Sequence, residues 1–282
     1  MRAPRTSRHA LVAVALAATV AMEAAPASVG DEVGSVPTRS VEAVRPETPG
    51  FFAVAPRDQR HEFYFTRAMY SSFGRRGWGR GGRGSWAVDY PEADRHFAEV
   101  IERVVGLDVY DYENAVSLTD PELRRYPILY ALEVGRMALT QEEVHGLRDY
   151  LNAGGFLIID DFWGTREWEV FEYNIRLVLP GRPIVELEED HPIFRIFYEI
   201  TEILQVPNVR NGYYGGPTWE QDGYDPYVLG IFDDHDRLMV VINWNTDLGD
   251  AWEWSDDPFY PMKYSTFAYE MGANFIVYGM SH

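Results

Sequence analysis

Two adjacent carboxylates, Asp160 and Asp161, close the apolar run Phe156-Leu157-Ile158-Ile159, which follows the glycine pair Gly154-Gly155. An apolar run without alternation is the signature of a strand buried on both faces of a parallel sheet. Open α/β sheets take their ligands outside the carboxyl ends of the strands, where this pair falls. Asp160, Asp161 and His191 are therefore the candidate catalytic residues. Carboxylates with a histidine act as general base and acid, or hold a hard divalent cation. A like-charged pair also raises one of its pKa values. Successive strand residues face opposite ways, so the pleat predicts one aspartate facing the site. Its neighbour then caps the next helix or accepts a hydrogen bond from Arg67. Both features have plainer readings: Asp-Asp after a strand also opens helices, and His191-Pro192 also reads as a rigid turn.

Arg67 and Glu133 end neighbouring predicted strands and are expected around the same crevice. Tyr70, Trp86, Asp89 and Trp163 complete the candidate binding set. Aromatic rings beside carboxylates can stack on sugar rings, and the same tryptophans can equally pack a core. No His-x-x-x-His pair or other tight ligand spacing occurs, so neither a metal nor a cofactor is expected. The Arg/Gly stretch 74–84 offers Arg75, Arg76, Arg80 and Arg83 to an anionic ligand, or is a solvated loop. It lacks the lysine of a phosphate-binding loop.

The elements that must position these residues follow from periodicity. Strands are predicted at 61–67, 107–110, 115–118, 126–132, 156–159 and 183–187, and a hairpin at 228–232 and 238–243. Helices are predicted around Ala93, Phe97, Val100, Ile101 and Val104, from the capping box Thr140-Gln141-Glu142-Glu143 to Gly154, and over 166–179 and 262–279. A short helix follows His191-Pro192, while 208–227 and 245–258 read as loops. Strands alternating with helices place the chain in the α/β class. The expected form is a doubly wound, mostly parallel sheet with helices on both faces, and a C-terminal hairpin and helix.

The chain has 282 residues, a formal charge of −19 and no cysteine. Arg2, Arg5 and Arg8, the apolar run Ala10 to Met22 and Ala25-Pro26-Ala27 have the three parts of a secretory leader. A retained N-terminal anchor is the alternative. The expected layout is a signal peptide at 1–27, an extended or disordered arm at 28–60 and one α/β domain at 61–282. The product would be periplasmic or extracellular, with no stable membrane span after cleavage. Loss of the leader removes three arginines and one glutamate, so the remainder is more acidic still. Such a surface repels phosphate backbones, which argues against nucleic acid. A glycan, a small anionic ligand or another envelope protein are the partners considered. Without cysteine there is no thiol nucleophile, thiolate ligand or disulfide.

Taken in order, Phe63-Tyr64-Phe65-Thr66-Arg67, Tyr70, Trp86, Tyr126-Pro127-Ile128-Leu129-Tyr130 and Leu147-Arg148-Asp149-Tyr150-Leu151 resemble a bacterial family. Gly154-Gly155-Phe156-Leu157, Asp160-Asp161, His191-Pro192-Ile193-Phe194 and Gly272-Ala273-Asn274-Phe275-Ile276-Val277-Tyr278 extend the likeness over roughly 61–280. The family is domain of unknown function 4159. The resemblance implies a flavodoxin-like sheet related to class I glutamine amidotransferase-like domains, with no established activity. Amidotransferases of that superfamily use a cysteine, so that activity is excluded here. Relatives commonly carry a Gly-His pair after the third strand, where this chain has Glu133-Val134-Gly135. The expected function is an exported, non-catalytic ligand-binding or assembly module. The alternative is a hydrolase-like or carbohydrate-active enzyme using Asp160/Asp161 and His191, with or without a metal.

Overall fold

The computed structural model describes residues 60–73 and 84–282. The expected leader, the arm up to residue 59 and residues 74–83 of the Arg/Gly stretch lie outside the described residues.

The chain runs β1 (Thr66–Met69), α1 (Glu92–Val105), β2 (Asn114–Ser117), β3 (Ile128–Leu132), α2 (Gln141–Asn152), β4 (Phe156–Asp160) and α3 (Gly164–Val178). It continues through β5 (Val185–Glu186), α4 (Val209–Tyr214), β6 (Tyr227–Phe232), β7 (Leu238–Trp244), α5 (Leu248–Glu253) and α6 (Met262–Ser281). The seven strands form one mixed sheet in the order β2-β1-β3-β4-β7-β6-β5. The first five in that order are mutually parallel, while β6 pairs antiparallel with both β7 and β5.

The pleat of β3 and β4 divides the core in two. Leu129, Ala131, Leu157 and Ile159 join Val144, Leu147 and Leu151 of α2 and Phe171 and Ile175 of α3. Ile128, Tyr130, Leu132, Phe156 and Ile158 face the other way and join Phe97 and Ile101 of α1 and Met271 and Phe275 of α6. Helices thus cover both faces, which is why these strands carry no polar alternation. Among the described residues, no helix is long and apolar enough to cross a membrane. α6 is nevertheless apolar on most of its circumference because it is wedged into the second core. Gly272 lets it approach closely there, since a Cβ at that position would lie 2.3 Å from the Phe97 ring.

Local signals act as the residue types dictate. The Thr140 hydroxyl accepts from the Glu143 N–H, and the Glu143 carboxylate accepts from the Thr140 N–H, completing the capping box of α2. Three expectations change. β1 begins at Thr66, and Phe63 makes only an isolated bridge to Val109, so neither 61–65 nor 107–110 forms a ladder. The strand around 183–187 shortens to Val185–Glu186, and it lies at the antiparallel edge. The two stretches read as loops hold α4 and α5, each opened by a side-chain cap, Asn208 and Asp247 respectively.

Candidate functional site

The carboxyl ends of β3 and β4 are tied together past the last ladder pair. The Glu133 N–H donates to the Asp161 carbonyl at 2.9 Å, and the Asn245 N–H beyond β7 donates to Phe162 O at 3.0 Å. Asp89, Glu133, Asp161 and Asn245 all adopt positive φ, between 47° and 62°. Asp and Asn tolerate this region better than most residues, and such strain concentrates at functional sites.

The two aspartates of the motif make different contacts. Asp160 is fully buried. Its Oδ2 accepts from the Tyr130 hydroxyl at 2.7 Å and from the N–H groups of Leu248 and Gly249 at 3.0 and 3.1 Å. It therefore fixes the start of α5 rather than α3. Burial pushes its carboxyl up to about 7 against those three donors. Its Oδ1 is buried with no hydrogen bond. Asp161 turns the other way: its Oδ1 accepts from the Trp163 indole N–H at 3.0 Å. Burial, then the neighbouring charges of Glu133, Asp89 and Asp160, hold its carboxyl well above the usual range.

Around Asp161 the chain gathers further carboxylates. Oxygens of Asp89, Asp161 and Asp247 lie within 4.8 Å of one another, and a second group, Asp89, Asp250 and Glu253, meets the same limit. Asp247 caps α5, with Oδ1 accepting from the Asp250 N–H at 2.8 Å. Asp250 Oδ2 accepts from the Val209 N–H at 2.5 Å. Burial first, and then mutual repulsion, raises Asp89 and Asp247 well above the ordinary carboxylate pKa. Asp89 is half-buried as a residue, yet its Oδ2 is shut off from solvent and receives no hydrogen bond. That oxygen lies over Gly249, where a Cβ would come within 2.7 Å of it and 3.5 Å of Asp247 Oδ1. Glu133, at the rim, pairs with Arg136 at 3.0 Å, and burial pushes its carboxyl up to about 7.

Other candidates are placed elsewhere or spent on structure. Arg67 is fully buried and donates to both Asp94 oxygens, from Nε at 3.1 and 3.0 Å and from Nη2 at 2.6 Å. Its Nη1 donates to the carbonyls of Trp86 and Val88. Arg67 thus serves Asp94, a residue of α1, and is not the partner expected for Asp160 or Asp161. The Tyr70 hydroxyl donates to Leu132 O at 2.5 Å, and Trp86 is buried against Tyr90. Both side chains are spent on packing and on the end of β3. Trp163 is buried too, and reaches the site through its bond to Asp161.

His191 does not join the carboxylates. Its ring packs on Phe232 and Tyr278, and its Nδ1 accepts from the Ile193 N–H. Phe232 is in register with Leu238 at the start of β7, and β7 runs parallel to β4. That places His191 near the amino end of β4, offset from Asp160 by about 16 Å along the strand direction at 3.3 Å per residue. The cause is strand order: β5 runs the same way as β4 but lies at the far edge of the sheet, with β7 and β6 between them, and the chain after it folds back toward Phe232. A cleft of about 620 Å³ lies along this edge, walled by Glu186, Glu199, Ile200, Glu202 and Tyr227, and none of the candidate residues borders it.

Asp247, Asp250 and Glu253 were not among the candidates. The signal for them was present, since Asp247-Leu248-Gly249-Asp250 has the cap spacing of a helix start and three acids recur every third residue. Comparison with curated proteins returns no match. The model of a family described as domain of unknown function (DUF4159) matches residues 76–280, and the chain belongs to that family.

Proposed function

We propose that this protein is an exported, non-catalytic binding module whose recognition site is the carboxylate-lined crevice at the carboxyl ends of β3 and β4, and whose ligand carries positive charge. The observation that carries this reading is the convergence of Asp89, Asp161 and Asp247 within 4.8 Å. Among the described residues, no arginine, lysine or histidine forms an ion pair with any of the three. Buried carboxylates are costly unless a cation or a proton compensates them. That balance favours a cation over the small anionic ligand also considered from the sequence.

Export rests on the leader-like segment Arg2 to Ala27. The strand order β2-β1-β3-β4-β7 supports kinship with flavodoxin-like and amidotransferase-like sheets. The enzymatic alternative loses force because His191 stands at the far end of β4, which leaves Asp160 and Asp161 without their acid–base partner.

A thermal-shift panel at constant ionic strength tests the reading, with cationic, anionic and glycan ligands added to the protein. Stabilisation by cationic ligands that Asp161→Asn abolishes is the expected result. Equal stabilisation by anions, or turnover of an added glycan, would overturn it.

A further inference from the structure

We infer that the inner carboxylate group, Asp89, Asp161 and Asp247, is a binding site for a hard divalent metal ion of the calcium or magnesium class. The inference rests on reading the crevice as a site for a positively charged ligand, and narrows that ligand to a bare metal ion.

Three observations select a metal ion over an organic cation. The first is size. Asp161 and Asp247 are 8% and 4% exposed, so little room remains for an ammonium or guanidinium group with its carbon frame. An ion needs only the space between oxygens. Two oxygens on one calcium at about 2.3–2.6 Å lie no more than about 5 Å apart, a limit these three carboxylates already satisfy.

The second is an orphaned donor. Asp89 Oδ2 is buried, receives no hydrogen bond, and sits over Gly249 beside the Asp247 carboxyl. A buried carboxylate oxygen with no partner is rare, and it calls for a proton or a bound ion.

The third is ligand chemistry. The group offers oxygen alone, with no imidazole in either cluster and no thiolate in the chain. All-oxygen carboxylate sets suit calcium, magnesium or manganese rather than zinc or copper.

The outer group shares Asp89 and adds Asp250 and Glu253. It provides an internal control, because Glu253 contributes to the outer group only. Asp161 and Asp247 contribute to the inner one only.

Isothermal titration of chelator-stripped protein with Ca²⁺, Mg²⁺ and Mn²⁺, and separately with putrescine, tests the assignment. The expected result is saturable binding of at least one metal ion, weakened ten-fold or more by Asp161→Asn and by Asp247→Asn. Glu253→Gln should change it by less than three-fold. In EDTA the two Asn variants should unfold at the same urea concentration as the parent or higher, since each removes a repelled charge. A merely structural aspartate would show the opposite.

A readout on the unmutated site guards against variants that fail to fold. Tb³⁺, standing in for Ca²⁺, should give tryptophan-sensitised luminescence that excess Ca²⁺ quenches and Trp163→Phe diminishes. Putrescine binding with no metal binding would overturn the metal assignment and leave the cationic-ligand reading standing. Binding of neither would overturn both. Loss of metal binding in Glu253→Gln with Asp161→Asn intact would move the ion to the outer group and overturn the inner site.

Discussion

The Glu133 N–H donates to the Asp161 carbonyl at 2.9 Å, one residue beyond the ends of β3 and β4, and both residues sit at positive φ, 53° and 47°. The bond extends the parallel pairing by one step just where each chain leaves the sheet. It therefore locks two strained turns to each other, and the carboxylates they carry are held by the backbone rather than by flexible side chains alone. Strain of this kind persists only where surrounding bonds over-determine it.

Asp161→Asn and Asp161→Ala separate the parts of this arrangement. Both remove the charge. Asn keeps an acceptor for the Trp163 indole N–H and tolerates the left-handed backbone, whereas Ala does neither. The Asn variant should be more stable than the Ala variant by about 2 kcal/mol in urea unfolding. Equal stabilities would show that the Trp163 bond and the turn conformation contribute nothing.

The Arg67–Asp94 pair should behave as a buried structural bridge. Arg67→Met leaves the Asp94 carboxylate buried without its partner and the carbonyls of Trp86 and Val88 without donors. Breaking one side of such a pair costs about 3–5 kcal/mol. The double change Arg67→Met with Asp94→Leu should cost clearly less than the sum of the two single changes, as read from urea midpoints. Additive costs would mean that the two residues do not act as a pair.

What the sequence made legible divides along physical lines. β3 and β4 were readable because strands buried on both faces carry uninterrupted apolar runs, and α2 because its capping box is local chemistry. The hairpin of β6 and β7 was readable for the same reason, as Asp233 to Arg237 is a turn between two β-prone runs. α5 was not, because six residues rich in acid and tryptophan give no helical period, although Asp247 marks its start. The approach of Asp89 to Asp247 is a long-range contact that no local pattern encodes. His191 was misplaced for a topological reason: hydrophobicity finds a short strand at 183–187 but does not say that it lies at the far edge, beyond β7 and β6.

Gly249 should be irreplaceable despite its place in a helix. Alanine there would ordinarily gain about 1 kcal/mol in helix propensity. Its Cβ would fall 2.7 Å from Asp89 Oδ2 and 3.1 Å from the Tyr130 hydroxyl, so Asp89 must move. Gly249→Ala should lose about 1–3 kcal/mol net, the usual cost of overpacking. It should also weaken cation binding with every carboxylate still present. A variant more stable than the parent and binding as well would show that Asp89 is free to relocate.

His191 gives the fold a defined acid sensitivity. Burial against Phe232 and Tyr278 holds its imidazole below the ordinary 6.5, with Asp190 opposing the shift and His282 adding to it. The folded ring therefore sheds its proton at a lower pH than the unfolded one. Where the two differ, the unfolded chain binds more protons, and stability rises with pH. The contribution of His191 is complete above about pH 6.5 and is lost as pH falls through the folded value. His191→Asn keeps an acceptor for the Ile193 N–H but cannot titrate. Urea midpoints at pH 5 and pH 7.5 should differ more for the parent than for this variant, and the ring signal in an NMR titration should move below pH 6.5. A ring titrating above 6.5 would reverse the sign, because its proton would then be retained on folding and stability would fall as pH rises.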